Sequence, residues 1–277
     1  MRLRKFFILV SVFLFGFTLM AGQPAEAHYL SVITNSSTAV VGESYQVNLS
    51  FTHVLPTTAE LGPEALRDLE PDFGAKYFYK EGAPTIFPAF SEGEKMYSSS
   101  APVKQTGTVL LSTSCSMEMF GKAFSKQILN AESDGWSKHA VGEDMEIVPL
   151  SDIADARVGD TIKFKVLLND EPLAGARVEW ADPASAVYYD EEEDGYSNLQ
   201  YLPDPTDNDG IFSYTITHAG LNALAIENED AATSCSLIFD AKDAAGGSGG
   251  GCNAGFGASA LICLPAFLAF FVRKKRG

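Results

Sequence analysis

Residues 142–180, GEDMEIVPLSDIADARVGDTIKFKVLLNDEPLAGARVEW, leave little choice of secondary structure. From Thr161 to Lys165 polar and apolar residues alternate, so Ile162, Phe164 and Val166 share one face of a half-buried strand. Gly159-Asp160 turns the chain into that strand, and Asn169-Asp170 ends it. Pro172 and Gly175 then shape the connection onward. Apolar-rich runs at 145–150 and 176–180 flank the alternating segment as further strands. A chain of short strands separated by turn residues, with almost no helical periodicity, is an all-β chain.

The rest of the chain repeats this pattern. Strands are expected at 29–33, 44–52, 75–79, 103–112 and 123–130, and later at 211–217, 221–226 and 234–239. One short helix is expected at 59–69, with Pro63 in its first turn, and an insertion loop at 181–209. The reading is two immunoglobulin-like or prealbumin-like β-sandwich domains, 28–142 and 143–243, each of ordinary domain size.

The wording of the second half is that of a family. MEIVPL, RVGDTIKFKVLLNDEPLAGARV and TDNDGIFSY resemble NikK-like extracytoplasmic proteins of two β-domains, which are associated with nickel or cobalt uptake transporters. The resemblance runs from about His28 to Asp240 and is strongest from Met145 to Tyr214. It implies a metal-binding accessory that captures and hands off nickel or cobalt, with a metal-uptake transporter in the membrane as partner.

Both ends read as targeting segments. Arg2, Arg4 and Lys5 precede the apolar run 6–20, and Ala25-Glu26-Ala27 supplies a cleavage site, so 1–27 is a secretory signal peptide. Residues 244–252 are a Gly-rich linker, and 253–277 hold an apolar run ending in Arg273-Lys274-Lys275-Arg276. That run is long enough for a transmembrane helix, with its basic tail in the cytoplasm and the bulk of the chain outside. The order GGGCNAGFGA, hydrophobic helix, RKKR resembles the Synerg-CTERM sorting signal. The resemblance implies a C-terminal sorting protease acting near Cys252, with modification of that sulfur. An ordinary permanent anchor stays open as the alternative. Either way the chain is secreted across the inner membrane, with its ectodomain periplasmic or otherwise extracytoplasmic and held at a membrane or cell surface.

Charge narrows the partners. The whole chain carries −16, and the two end segments carry +2 and +4, which leaves −22 on residues 28–251. So acidic a surface repels nucleic acid and attracts cations.

Chemistry rests on a few side chains. Cleavage after Ala27 makes His28 the N-terminus, where an imidazole and a free α-amine can chelate one metal; nickel, cobalt and copper suit such donors. His53 stands in Phe51-Thr52-His53-Val54, where NikK-like relatives carry a His in an FGHP-like context; here Thr52 and Val54 replace the Gly and Pro. His139 precedes Gly142-Glu143-Asp144-Met145-Glu146, where relatives read GHPLEIVP, so it is a displaced substitute for that His. The metal ligands expected are His28, His53 and His139, with His218 in a strand-end turn. Cys115 and Cys235 share the context Thr-Ser-Cys-Ser, one in each domain. In an oxidising compartment they form either a disulfide or two separate buried thiols.

Two acidic stretches compete as cation sites. The run 190–194 is a self-repelling loop. The stretch 204–210 looks like a calcium loop, but with Gly210 at the sixth position the place of the closing Glu is Ile216, so a tight turn fits better. No Gly-x-Ser-x-Gly, His-Glu-x-x-His or phosphate loop is present, and the reading is not an enzyme. The alternative to a metal carrier is an adhesion or carbohydrate-binding ectodomain. Its surface would be drawn from Trp136, Trp180, Tyr188, Tyr189, Tyr196 and Tyr201.

Overall fold

A computed structural model describes residues 29–52, 54–55, 74–92, 97–117, 121–190 and 195–245. The expected signal peptide, His28, His53, the helix expected at 59–69, Cys252 and the C-terminal segment lie outside the described residues. Among the described residues there is no α-helix, and no helix is long and apolar enough to cross a membrane.

The first half contributes β1 (Tyr29–Thr34), β2 (Ser44–Thr52), β3 (Gly74–Phe78), β4 (Thr85–Ile86), β5 (Ser91–Glu92), β6 (Tyr97–Pro102), β7 (Val109–Met117) and β8 (Gly121–Leu129). A 3-10 turn at Trp136–Lys138 leads to β9 (Met145–Pro149), β10 (Thr161–Leu168), β11 (Glu171–Pro172) and β12 (Glu179–Ala181). Then come β13 (Tyr188–Asp190), β14 (Gly195–Ser197), β15 (Gln200–Tyr201), β16 (Ile211–Thr215), β17 (Gly220–Asn228) and β18 (Thr233–Ala241).

The alternation in β10 acts as expected: Ile162, Phe164 and Val166 are buried, while Thr161 and Lys163 are exposed. Asn169 and Asp170 both take positive φ, 52° and 66°, the backbone of a two-residue hairpin turn between β10 and β11. Gly210, at φ 72°, closes the tight turn into β16.

Three sheets stack around two main cores. A long sheet runs β15-β12-β17-β18-β8-β7-β3-β4, and its centre is a parallel pairing of β18 with β8. On one face lies the antiparallel sheet β1-β2-β6-β5, and Leu30, Val32, Val47 and Leu49 meet Leu111, Ala123 and Leu129 there. On the other face β9, β10 and β16 bring Met145, Phe164 and Tyr214 against Phe124, Leu237 and Phe239. The long sheet is thus a wall of both cores, and the described residues belong to one compact unit ending at Ala245.

An edge strand carries unpaired backbone groups that need covering. In β1 the amide of Val32 donates to Ser125 Oγ (3.0 Å), that of Thr34 donates to Gln127 Oε1 (2.9 Å), and Leu30 O accepts from Ser236 Oγ (2.7 Å). Polar residues in the middle of two buried strands therefore close a third.

Three expectations are corrected. The strand expected at 103–112 starts only at Val109, as β7, because the chain turns at Gly107 (φ 94°) after β6 has ended at Pro102. The stretch 181–209 is more than an insertion loop: it holds β13 to β15 and buries Asp182, Ser197, Asn198 and Leu199. Cys115 and Cys235 are free thiols rather than a disulfide. Cys115 pairs with Ala123 on β8, whereas Cys235 pairs with Phe124. Consecutive residues of a strand face opposite ways, so the sulfurs lie on opposite faces of the sheet, one in each core.

Burial pushes the Cys115 thiol up to about 12 and raises Cys235 further, so neither forms a thiolate at neutral pH. Folded protein is expected to leave both unmodified by thiol reagents, and denaturant without reductant is expected to expose both. Recovery of a 115–235 linked peptide would overturn this.

Candidate functional site

The expected metal ligands begin where β1 and β2 end. The last described pair of that ladder is Tyr29 with Thr52. Tyr29 is fully buried against Leu55, Leu199, Ala223 and Ala225, and its hydroxyl donates to Glu179 Oε1 at 2.8 Å. Burial, and then the carboxylate of Glu179, raise the Tyr29 phenol well above its ordinary value, with Glu227 adding to the same negative field. Downstream, the amide of Leu55 donates to Asn198 Oδ1 and Leu55 O accepts from Asn198 Nδ2, both at 2.9 Å. The chain is therefore fixed on both sides of position 53, by the ladder at Thr52 and by Asn198 at Leu55.

His139 lies elsewhere. It follows the 3-10 turn, exposed, with its ring stacked on Trp136 at 4.0 Å between centroids. Trp136 packs with the core on the face of the long sheet opposite Tyr29. Trp180 also packs in that core against Tyr214 (5.7 Å), while Tyr188 and Tyr201 are about half exposed, with the Arg177 guanidinium 4.0 Å over the Tyr201 ring.

Two charged centres carry little signal in the sequence. Lys126 Nζ and Glu146 Oε2 are 2.9 Å apart, with side chains 5% and 4% exposed. Glu146 also accepts from the amides of Val141 (2.9 Å), Gly142 (2.6 Å) and Glu143 (3.0 Å). Three successive amides around one carboxylate form an anion nest, filled here by the chain itself. Burial alone would raise the Glu146 carboxyl, but Lys126 and these amides outweigh it and hold the group below the usual range. The signal available was Glu146 standing between Met145 and Ile147 in a strand buried on both faces.

Asp182 forms the second centre. Its Oδ2 accepts from Thr217 Oγ1 (2.6 Å) and His218 Nδ1 (2.5 Å), and its Oδ1 from Ala184 N (3.0 Å) and Ser185 Oγ (3.1 Å). Burial opposes the charge, but Thr217, His218 and Ser185 keep the carboxyl below its ordinary range. An ionised carboxylate only accepts, so Nδ1 of His218 carries the proton. His218 is thus the partner of a buried Asp as well as a strand-end turn residue. The Asp-x-x-Ser spacing after β12 was its only trace in the sequence.

Among the described residues, no three His, Cys, Asp or Glu side chains come together as a metal centre. In the stretch 204–210, Asp207 Oδ1 accepts from the amides of Asp209 and Ile211, the bonding of a tight turn. Residues 191–194 of the other acidic run lie outside the described residues.

Comparison with solved structures finds distant likenesses. The D0-D1 domain of intimin is 13% identical with a TM-score of 0.23, over 77% of this chain and 97% of that one. The Escherichia coli adhesin FdeC is 15% identical (TM-score 0.22), over 78% of this chain and 64% of that one. The Yersinia pseudotuberculosis adhesin InvE is 10% identical (TM-score 0.22), over 77% and 58%. No curated protein sequence matches the chain. Residues 25–230 match the family described as a domain of unknown function, DUF4198, and the chain belongs to that family.

Proposed function

We propose that this β-sandwich protein is an extracytoplasmic, membrane-tethered accessory to nickel or cobalt uptake of the NikK-like kind. It would capture the ion and hand it to a transporter without catalysis. The observation that carries the reading is the register of β1 with β2. The last described pair is Tyr29 with Thr52, and these two residues are the sequence neighbours of His28 and His53. With cleavage after Ala27, the α-amine of His28 becomes a third nitrogen donor. Glu179 and Glu227 beside Tyr29 contribute the negative field that a cation requires. The signal peptide, the C-terminal anchor and sorting-protease processing at Cys252 belong to the same reading, because an accessory of this kind works at the membrane outside the cytoplasm. His139 enters as a separate single-imidazole site.

Nickel, cobalt and copper titrations of protein beginning at His28 test it. One residue added ahead of His28 is expected to weaken binding at least tenfold, about 1.4 kcal/mol. His53→Ala is expected to do likewise, and His218→Ala to change nothing. The α-amine and imidazole bind only when deprotonated, so affinity falls as pH drops through their reference values, about 7.7–8.0 and 6.5. Equal affinity for the native, extended and His53→Ala proteins would remove the site. The second reading, an adhesion or carbohydrate-binding surface, would then rest on the half-exposed Tyr188 and Tyr201.

A further inference from the structure

The outer face of β1–β2, opposite the one that fills the first core, is unusually polar for its depth. Leu30 and Val32 enter that core with Val47, Leu49 and Phe51. On the other face the ladder sets Ser31 across from Ser50, and Asn48 across from Ile33 one pair along. Ser31 is 0% exposed and Ser50 1%. The hydroxyls of both, and Oδ1 of Asn48, are buried with no hydrogen-bond partner among the described residues. Nearby, Gln127 fixes its oxygen on the Thr34 amide and leaves Nε2 in the same condition.

Buried polar groups left unpaired oppose folding, and native proteins rarely gather several in one place. Ser31 and Ser50 are direct cross-strand neighbours, so their two hydroxyls stand together on one buried face. We propose that Ser31, Ser50 and Asn48 form a buried hydration site, holding ordered water between β1–β2 and the residues packed around Tyr29. The donor and acceptor count suits water. Each hydroxyl both donates and accepts, and the amide oxygen only accepts. One molecule donating to Asn48 and to one serine while accepting from the other has three partners, the usual number for internal water. The set is neutral and lacks the carboxylates that a divalent ion would need.

Oxygen-17 relaxation dispersion of water in a solution of the intact protein tests the site without mutation. Long-lived internal water is expected, and its contribution should be lost in the Ser31→Ala/Ser50→Ala double variant. Thermal unfolding supplies a second readout with opposite signs for the two cases. If water is bound, each single substitution removes one of its partners and lowers the midpoint. The double variant then falls by less than the sum, because the water has already been lost. If the site is dry, each substitution deletes an unpaired hydroxyl and raises the midpoint additively. Midpoints that rise, or an unmutated protein whose internal-water signal matches that of the double variant, would overturn the proposal.

Discussion

Glu146→Gln is expected to destabilise the folded protein by about 3–5 kcal/mol, the range for breaking one side of a buried ion pair. The substitution keeps size and shape but leaves the Lys126 ammonium, 5% exposed, without its counter-charge. It also weakens a nest in which three backbone amides point at a charged oxygen. The matched control is the double variant Lys126→Met/Glu146→Met. It removes both charges together and is expected to recover much of the loss, since apolar pairs of similar volume often equal a buried ion pair. Urea unfolding measures both, with an unchanged slope showing that the two-state transition is intact. The dependence on pH has a definite sign. The Glu146 carboxyl is held below its unfolded value, so its stabilisation is fully present above about pH 4.3 and is lost as pH falls through the folded value. A Glu146→Gln protein should show a correspondingly flatter acid limb. Equal losses for the single and double variants would show that the nest alone matters.

Gly121→Ala should be as damaging for a different reason. Gly121 opens β8 at φ +75°, and a β-carbon there would sit 1.8 Å from the carbonyl oxygen of Ala232. That carbonyl cannot retreat freely, because it accepts from the Lys122 amide at 3.0 Å where the parallel pairing of β8 with β18 begins. The Thr233 hydroxyl, which donates to Lys122 O at 3.0 Å, ties the same junction. A backbone shift is unavoidable, and the expected loss is about 3 kcal/mol or more, in the range of strained or overpacked sites. Gly42 separates clash from conformation. It has a similar φ of +88° but nothing within 4 Å of an added β-carbon. Gly42→Ala should therefore lose only about 1–2 kcal/mol for the left-handed backbone. Denaturation midpoints of the two variants that coincide would refute the close-approach argument.

These two positions mark the limit of what could be read from the sequence. Period-two alternation identified β10, because one of its faces is wet. In β8, expected as a strand at 123–130, alternation gives no sign of the two cores it separates, because its residues from Ala123 to Leu129 are all buried. Alternation also says nothing about which strand lies beside which. The parallel neighbour of β8 comes from the far end of the chain, so the opposed orientation of Cys115 and Cys235 was invisible before the register was known. Of the expected ligands, the structure describes only His139, which stands apart stacked on Trp136, because sequence context carries no register. Asp182 and Glu146 escaped because a buried carboxylate looks like any other until its donors are found.

The placement of β18 also dictates an order of events. It enters the middle of the long sheet, and Ser236 meets Ser125 across 111 residues of chain. At ordinary synthesis rates β8 waits about 6–20 s for that partner to be made. During that interval the sheet β8-β7-β3 can form locally, yet it ends in a bare edge of amides and carbonyls in which Phe124 and Ile128 have no core to enter. Contacts so far apart along the chain are slow to close, and the open edge is the template on which two unfinished chains would pair. The most vulnerable moment in the life of this molecule therefore comes just before its last strand arrives.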